Sequence, residues 1–557
     1  MKKLLFLFFI MPLLGLGQTQ IHQEILGTPN NYYFATSIAL SHDGNTVVIS
    51  TPGLGAPSGA SGYIEVYEIS NDLWTPVSSA IHGGYNGDLF GESVALSSDG
   101  SIIAVGAPGS QYTQSYAGLV RVYKNENGTL TQLGSDVIGN NQIYSKFGSS
   151  VSLSDDGNTL AIGAIDAFPG GGIVSVYRLV NNDWTLIGQN INDLDTYYDA
   201  NFGASVALSS DGSKIAIGAT KGNFSEAGYV VVFENINDTW VQVGDVINGD
   251  SIGDQFGREI SISSDGTIIA IGAPYNDDNQ TASGHVKVFE NINNTWTQIG
   301  NTIIGDNLQS NCGSGVALSS DGSILAIGSE GNWDPTPSTQ GLIRIYKNIN
   351  NDWIQVGNDI FGQSNASEFG ASVGINQNGE KIVVGAPRYY DGTNLIGHVL
   401  TFSYASELAL LEVVDDIFGN SNGDNISARQ LNNIEGVSGA IDGVNYTTAL
   451  QNATYADPYN PTAAEIQAVI DAVNDSLSLE ENSLSVFKLY PNPAKNQFTI
   501  QFTTSLSLEK VTIYNTLGQE VLTSKNTIVD TSTLTSGSYI VEITTNNGKA
   551  SKNLIIE

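Results

Sequence analysis

The sequence predicts an all-β chain built mainly as a seven-bladed β-propeller, followed by a small α-helical module and a C-terminal β-sandwich. Three observations carry this prediction. One unit recurs seven times, each unit reads as four short strands, and the strand missing from the last unit stands at the start of the chain.

The recurring unit runs from an aromatic-Gly pair through S-V-A-L-S, an S-D-G turn, I-A-I-G-A-P, a variable loop, G-x-V-x-V-Y and an Asn-rich turn to W-x-x-x-G-x-x-I-x-G. Its anchors are Phe34, Phe90, Phe147, Phe202, Phe256, Cys312 and Phe369, spaced by 56, 57, 55, 54, 56 and 57 residues. Apolar stretches are short and β-branched, as in Ile102-Ile103-Ala104-Val105 and Val230-Val231-Val232-Phe233, which marks strands. The first hairpin of each unit carries Asp99-Gly100 or its counterpart at Asp43, Asp156, Asp211, Asp265, Asp321 or Asn378. Such turns need a left-handed residue, which costs an L-side chain about 1–2 kcal/mol and glycine almost nothing. Asn-rich segments such as Asn125 to Gly128 and Asn235 to Asp238 join the third and fourth strands.

The seventh unit, Phe369 to Tyr404, lacks a fourth strand. Residues 19–27, T-Q-I-H-Q-E-I-L-G, track T-Q-I-G-N-T-I-I-G at 297–305. An N-terminal strand completing the last blade closes a ring, whereas an open solenoid needs no such strand.

Phe90-Gly91 with Gly106-Ala107-Pro108, Phe256-Gly257 with Gly272-Ala273-Pro274, and Phe369-Gly370 with Gly385-Ala386-Pro387 resemble the FG-GAP repeats of the integrin α-subunit propeller and its bacterial relatives. The resemblance covers about residues 19 to 404. Calcium-binding members carry D-x-D-x-D-G-x-x-D between the first two strands, where this chain has Ser97-Ser98-Asp99-Gly100 or its equivalents. One carboxylate does not supply the six to eight oxygens calcium takes, so the family's calcium sites are not carried over and no cofactor is expected.

Connections between the first and second and the third and fourth strands share one face and are short and uniform. The other face carries loops that change from blade to blade, and variable loops on a rigid scaffold are where binding concentrates. The candidate ligand-binding residues there are Trp333, Tyr275, Asp277, Asp278, Tyr389, Tyr390, Asp391, Tyr112 and Tyr197, with Tyr116, Tyr144, Tyr198 and Asp334 nearby in sequence. Exposed Tyr and Trp suit sugar rings or protein side chains; packing of loops onto neighbouring blades is the plainer role for the same residues. Trp333 stands apart from Trp74, Trp184, Trp240, Trp296 and Trp353, which occupy the fourth-strand position of the repeat.

No catalytic constellation is apparent. The histidines, His22, His42, His82, His285 and His398, have no H-E-x-x-H spacing, and no Ser sits in a G-x-S-x-G elbow. Asp277-Asp278, or Asp193, Asp195 and Asp199, could act as acid and base across the central channel, although solvated loop acids are commoner. With 21 Lys+Arg against 56 Asp+Glu the formal charge is −35, which repels a phosphate backbone and argues against nucleic acid. Cys312 takes an anchor position, so it reads as core and forms no disulfide within the chain.

The first 17 residues, Met1-Lys2-Lys3 followed by the apolar run Leu4 to Leu16 and Gly17, read as a signal peptide, and no later run is long enough to span a membrane as a helix. The propeller is assigned to 18–404. Residues 405–480 form the helical module, with Leu408, Leu411, Val414 and Ile417 as its first stripe and a Pro start with a T-x-x-E capping box at Pro461 to Glu465. From 486 to 557 strands return, opening with Leu489-Tyr490-Pro491-Asn492-Pro493 and continuing through Gly518-Gln519-Glu520-Val521 and Leu534 to Tyr539. This pattern resembles the type A C-terminal sorting domain of the type IX secretion system of Bacteroidota. The resemblance implies that secretion machinery as a partner and a destination at the outer cell surface or in the medium.

The expected function is non-catalytic binding of glycan or protein ligands through the variable face, in the manner of an adhesin. The alternatives are a polysaccharide-active enzyme using channel acids and a purely structural surface component. Three or more acids converging at the channel mouth favour the enzyme, an aromatic platform there favours glycan binding, and neither favours the structural role; acids together with exposed aromatics leave binding and catalysis both open.

Overall fold

The structure is a computed structural model that describes residues 19–29, 33–53, 61–111, 117–139, 144–167, 171–192, 200–221, 227–331, 340–418, 426–456, 461–483, 487–502, 506–515, 518–546 and 548–557. The chain divides into two compact units, Met1–Leu408 and Ala409–Glu557.

The first unit contains seven antiparallel sheets. Blade 5 shows the pattern: Glu259–Ile262, Ile268–Ala273, His285–Ile292 and Thr295–Gln298 pair in sequence order, and Ile303–Ile304 returns to the third strand. The innermost strands are Ile38–Leu40, Val94–Leu96, Phe147–Leu153, Phe202–Leu208, Glu259–Ile262, Cys312–Leu318 and Ser372–Ile375. Each packs on the next, and the last packs on the first. In blade 7 the fourth position is filled from the N-terminus: Thr19 and Gln20 pair with Ser403 and Phe402, and Ile25 and Leu26 pair with Val399 and His398.

The anchor position is a buried slot in the repeat. Phe34, Phe90, Phe202, Phe256 and Phe369 are at most 1% exposed, and Cys312 fills the same slot at 2%. Burial pushes the Cys312 thiol up to about 11, which suits a packing role. The two glycine motifs are complementary across blades. A Cβ on Gly106, Gly163, Gly218, Gly272 or Gly328 would lie 1.9–2.2 Å from the carbonyl oxygen of Gly148, Gly203, Gly257, Gly313 or Gly370 in the following blade. The close approach of GA in one blade to FG in the next therefore requires glycine.

On the lower face, defined by the first-to-second and third-to-fourth turns, backbone hydrogen bonds form a closed ring. The amide of His42 donates to Ser98, Ser98 to Asp155, Asp155 to Ser210, Ser210 to Ser264, Ser264 to Ser320, Ser320 to Gln377, and Gln377 back to His42, all at 2.8–3.0 Å. Each turn is closed internally: the Ser97 hydroxyl donates to Asp99 Oδ1 at 2.7 Å and accepts from the Ile102 amide at 2.8 Å. At the outer rim, the indole N–H of Trp240 donates to the Ile187 carbonyl of the preceding blade, Trp353 does the same to Ile299, and Trp74 donates to Thr401 Oγ1, joining blade 1 to blade 7.

Around the boundary and in the second unit, helices α1 (Ala405–Phe418), α2 (Ala428–Asn432), α3 (Thr447–Asn452) and α4 (Ala463–Ser483) precede two sheets. The buried stripe of α1 is Leu408, Leu410, Val413 and Ile417; Leu411 and Val414 are only half-buried, because a 3.6-residue turn drifts away from strict three-residue steps. Thr462 caps α4: its hydroxyl accepts from the Glu465 amide at 3.3 Å and Glu465 accepts from the Thr462 amide at 2.8 Å. Pro461 precedes the cap and does not open the helix. The two sheets, one of Phe487–Tyr490, Gln497–Phe502 and Ile528–Asp530 and one of Glu520–Ser524, Leu508–Tyr514, Gly537–Thr545 and Gly548–Ile556, enclose Phe487, Phe498, Val511, Ile513 and Val541.

Candidate functional site at the channel mouth

The upper face carries the second-to-third loops and the blade-to-blade connections, and the inner strands begin there. The residue before each anchor, Tyr33, Leu89, Lys146, Asn201, Gln255, Asn311 and Glu368, has a positive φ of 52–69°. Glycine suits such a backbone, yet all seven positions hold side chains, and no two neighbouring blades use the same one. Four of them reach a residue just beyond the second strand: Lys146 pairs with Asp166 at 2.8 Å, Asn201 with Thr220 at 3.1 Å, Asn311 with Glu330 at 3.2 Å and Glu368 with Arg388 at 3.7 Å. Arg388 also lies 5.7 Å over the Tyr33 ring.

Inside this rim four glutamates converge. Ser93, Ser150, Ser205 and Ser372 each donate a hydroxyl hydrogen bond to the backbone of the following blade, and blade 5 places Glu259 at that same position. Glu92 stands one residue earlier in blade 2, in the position that Arg258 holds in blade 5. Burial, reinforced by Glu330 and opposed by Arg258, raises Glu259 to about 7. Burial and Glu330, opposed by Arg388, raise Glu368 to about 7. Glu330 and Glu92 are also raised by burial, against Arg258 in both cases and against Lys146 for Glu92. Glu92 Oε2 is buried without a donor among the described residues. The mouth thus gathers charge from blades 2, 3, 5, 6 and 7, and burial there works against the charged form of all four glutamates.

The loop residues expected from sequence have separate fates. Trp333, Tyr112 and Tyr197 lie outside the described residues, as do Tyr116, Tyr198, Asp334, Asp193, Asp195 and Asp199. Tyr275 and Tyr390 are 38% and 51% exposed on the upper face, and Tyr85 and Tyr144 are both 58% exposed on its blade-to-blade connections. Tyr389 stacks on the buried His398 ring at 3.9 Å, a packing contact. Asp277 accepts from the Ala282 amide at 2.7 Å, and Asp391 accepts from the amides of Thr393 and Asn394, so both shape their own loops. The latter two bonds, Asn394 first, hold Asp391 below the ordinary carboxylate range. Asp278 is half-exposed beside His285.

The glutamates were not among the expected residues, although a signal existed. They sit where the repeat stops repeating: before the anchor, after FG, and after GA. A groove of about 610 Å³ on the lower face, between blades 3 and 4, has its carboxylates already engaged. Asp156 and Asp211 close their turns, and Asp238 pairs with Arg178 at 3.1 Å.

With this geometry in hand, comparison with known proteins is informative at two places. The FG-GAP repeat profile matches residues 240–289, which run from the fourth strand of blade 4 to the third of blade 5. The secretion system C-terminal sorting domain profile matches residues 488–557. This chain carries an FG-GAP repeat propeller and a type IX secretion sorting domain. It is exported to the cell surface or the extracellular space, and the sorting domain implies handling by the secretion machinery. Among the described residues no helix is long and apolar enough to cross a membrane. No curated protein matches the sequence. Solved structures similar to it include the hydrazine synthase of Kuenenia stuttgartiensis, at 16% identity and a TM-score of 0.45, covering 68% of this chain and 97% of that one. The propeller assignment rests on the chain's own sheet order and hydrogen-bond ring.

Proposed function

We propose that this exported propeller is a non-catalytic binding protein that takes an extracellular glycan or protein ligand on its upper face, over the channel mouth. The observation that carries this reading is the contrast within one repeat: the lower turns are near-copies of one another, while the mouth positions differ between every pair of neighbouring blades and keep side chains on a backbone that favours glycine. Carboxylates and guanidinium groups at the centre, ringed by exposed Tyr85, Tyr144, Tyr275 and Tyr390, suit hydroxyl-rich ligands, which take hydrogen bonds at the edge of a sugar and aromatic contact on its face. Screening the full chain on glycan and matrix-protein arrays tests it. Binding is expected, and Glu92→Gln with Glu330→Gln should weaken it by about tenfold or more, since hydrogen bonds to charged groups contribute about 1.5–3 kcal/mol. An absence of any ligand, or unchanged binding by the variant, defeats the proposal.

A second reading, a polysaccharide-active enzyme, draws on the raised Glu259 and Glu368, because a carboxyl poised near neutrality suits general acid catalysis. Release of reducing sugar ends that is abolished by Glu259→Gln or Glu368→Gln would favour it over binding alone.

A further inference from the structure

The geometry points to a site for one zinc-class divalent cation on the upper face of blade 5, held by Asp250, Asp278 and His285. These three come from different segments: Asp250 follows the short strand Ile247–Asn248, Asp278 lies in the loop between the second and third strands, and His285 opens the third strand. One donor atom from each lies within 4.8 Å of the other two, and His285 Nδ1 is 3.6 Å from Asp278 Oδ2.

The histidine carries the argument further than the acids do. His285 is fully buried, and among the described residues neither ring nitrogen has a partner within 3.5 Å, Asp278 Oδ2 lying just beyond at 3.6 Å from Nδ1. A buried polar group in that state costs free energy unless something satisfies it. At the same repeat position the other blades hold Tyr63, Leu119, Ile173, Tyr229, Leu342 and His398. Of these, only His398 is comparable: its ring nitrogens are likewise unpartnered among the described residues, but a single carboxylate, Glu24, lies 3.6 Å from its Nδ1, and the Tyr389 ring covers the imidazole face. His285 instead faces two carboxylates that are 43% and 46% exposed. Asp254 adds negative charge close by and feels both of them. Lys287 bonds Asp250 through Oδ2 and is the cation ion-paired there.

The donor set selects the metal. One imidazole nitrogen with two carboxylates is a three-ligand set with a position left open, which suits zinc. Calcium takes six to eight oxygens. Tetrahedral zinc with donors at 2.0–2.2 Å has donor-to-donor separations of about 3.3–3.6 Å, matching the His285–Asp278 edge, and the exposed Asp250 side chain has room to rotate inward. The site is unrelated to the turn motif through which the family resemblance concerns calcium, since those turns lie on the opposite face. It also stands independently of what the channel mouth binds.

Equilibrium dialysis of the full chain against Zn²⁺ in excess Mg²⁺ tests the assignment, with Co²⁺ as a spectroscopic probe. One tightly held equivalent of zinc is expected, together with visible cobalt bands of tetrahedral intensity. Asp278→Asn, a surface change that spares the fold, should lower zinc affinity by about 10–100-fold or more and abolish the bands. Asp391→Asn, on blade 7, should leave both unchanged. Zinc displaced by magnesium, equal affinity in the Asp278→Asn variant, or stoichiometric binding of calcium in place of zinc overturns the site.

Discussion

The two faces of the propeller use the same seven repeats and treat their acids in opposite ways. On the lower face, burial raises the turn aspartates, but the Ser hydroxyl and the amide two residues on outweigh it, so Asp43, Asp99, Asp156, Asp211, Asp265 and Asp321 are held below their ordinary value. On the upper face, Glu92, Glu259, Glu330 and Glu368 are desolvated without enough donors and rise. Repetition gives each turn aspartate the same partners; divergence leaves the four mouth glutamates with burial as the dominant influence. The acids of the lower turns therefore serve folding, and the proposed upper-face site rests on carboxyls whose charged form is disfavoured.

The largest effect expected from breaking this division comes from the shared core between the faces. Phe256→Ala removes a fully buried anchor and should destabilise the propeller by about 3–5 kcal/mol in denaturant unfolding of the full chain, with upper-face binding lost as the blade loosens. A loss below about 1 kcal/mol would mean that the blades do not share their stability through these anchors.

A pH series separates the faces directly. Glu259 and Glu368 have folded values of about 7 against 4.5 for the free side chain, so the folded state holds protons that the unfolded chain releases. Their contribution is fully favourable below about 4.5 and is lost as pH rises toward 7. The lower aspartates behave in the reverse sense: their contribution is present above 3.8 and is lost as pH falls through their depressed folded values. Glu259→Gln with Glu368→Gln should flatten the loss of stability between about pH 4.5 and 7 and leave the acid limb intact. An unchanged slope in that window would show that these two carboxyls do not set it.

The smallest effect isolates a single lower turn. Ser209→Ala removes the hydroxyl that donates to Asp211 at 2.8 Å and accepts from the Lys214 amide at 2.9 Å, and should cost about 1 kcal/mol with ligand binding untouched. A larger loss, or a change in binding, would mean that the faces are coupled through the blade.

Much of the fold was legible along the chain because it rests on short-range chemistry. The S-D-G and Asn-rich turns, the alternation of β-branched residues and the aromatic anchors each act within about ten residues, and seven copies reinforce the reading. The lookalike segments at 19–27 and 297–305 revealed the closing strand for the same reason. The face that varies was legible too, since variation can be counted. Two positions of the α1 stripe were misplaced by one residue because three-residue steps were counted on a helix of 3.6 residues per turn. The roles of Tyr389, Asp277 and Asp391 were not legible, because a loop side chain that packs and one that waits for a ligand have the same composition.

The number of blades, the place of each turn, the closure of the ring and the route of export follow from the repeat and the two ends of the chain. Which of the non-repeating residues meet depends on the folded ring. Glu92 and Glu259 are 167 positions apart yet both interact with Arg258, and Asp250, Asp278 and His285 come within 4.8 Å of one another from three segments of chain. Closing seven sheets into a ring brings the starts of all the inner strands together at one mouth, and that convergence is a property of the closed ring, absent from any one copy of the repeat.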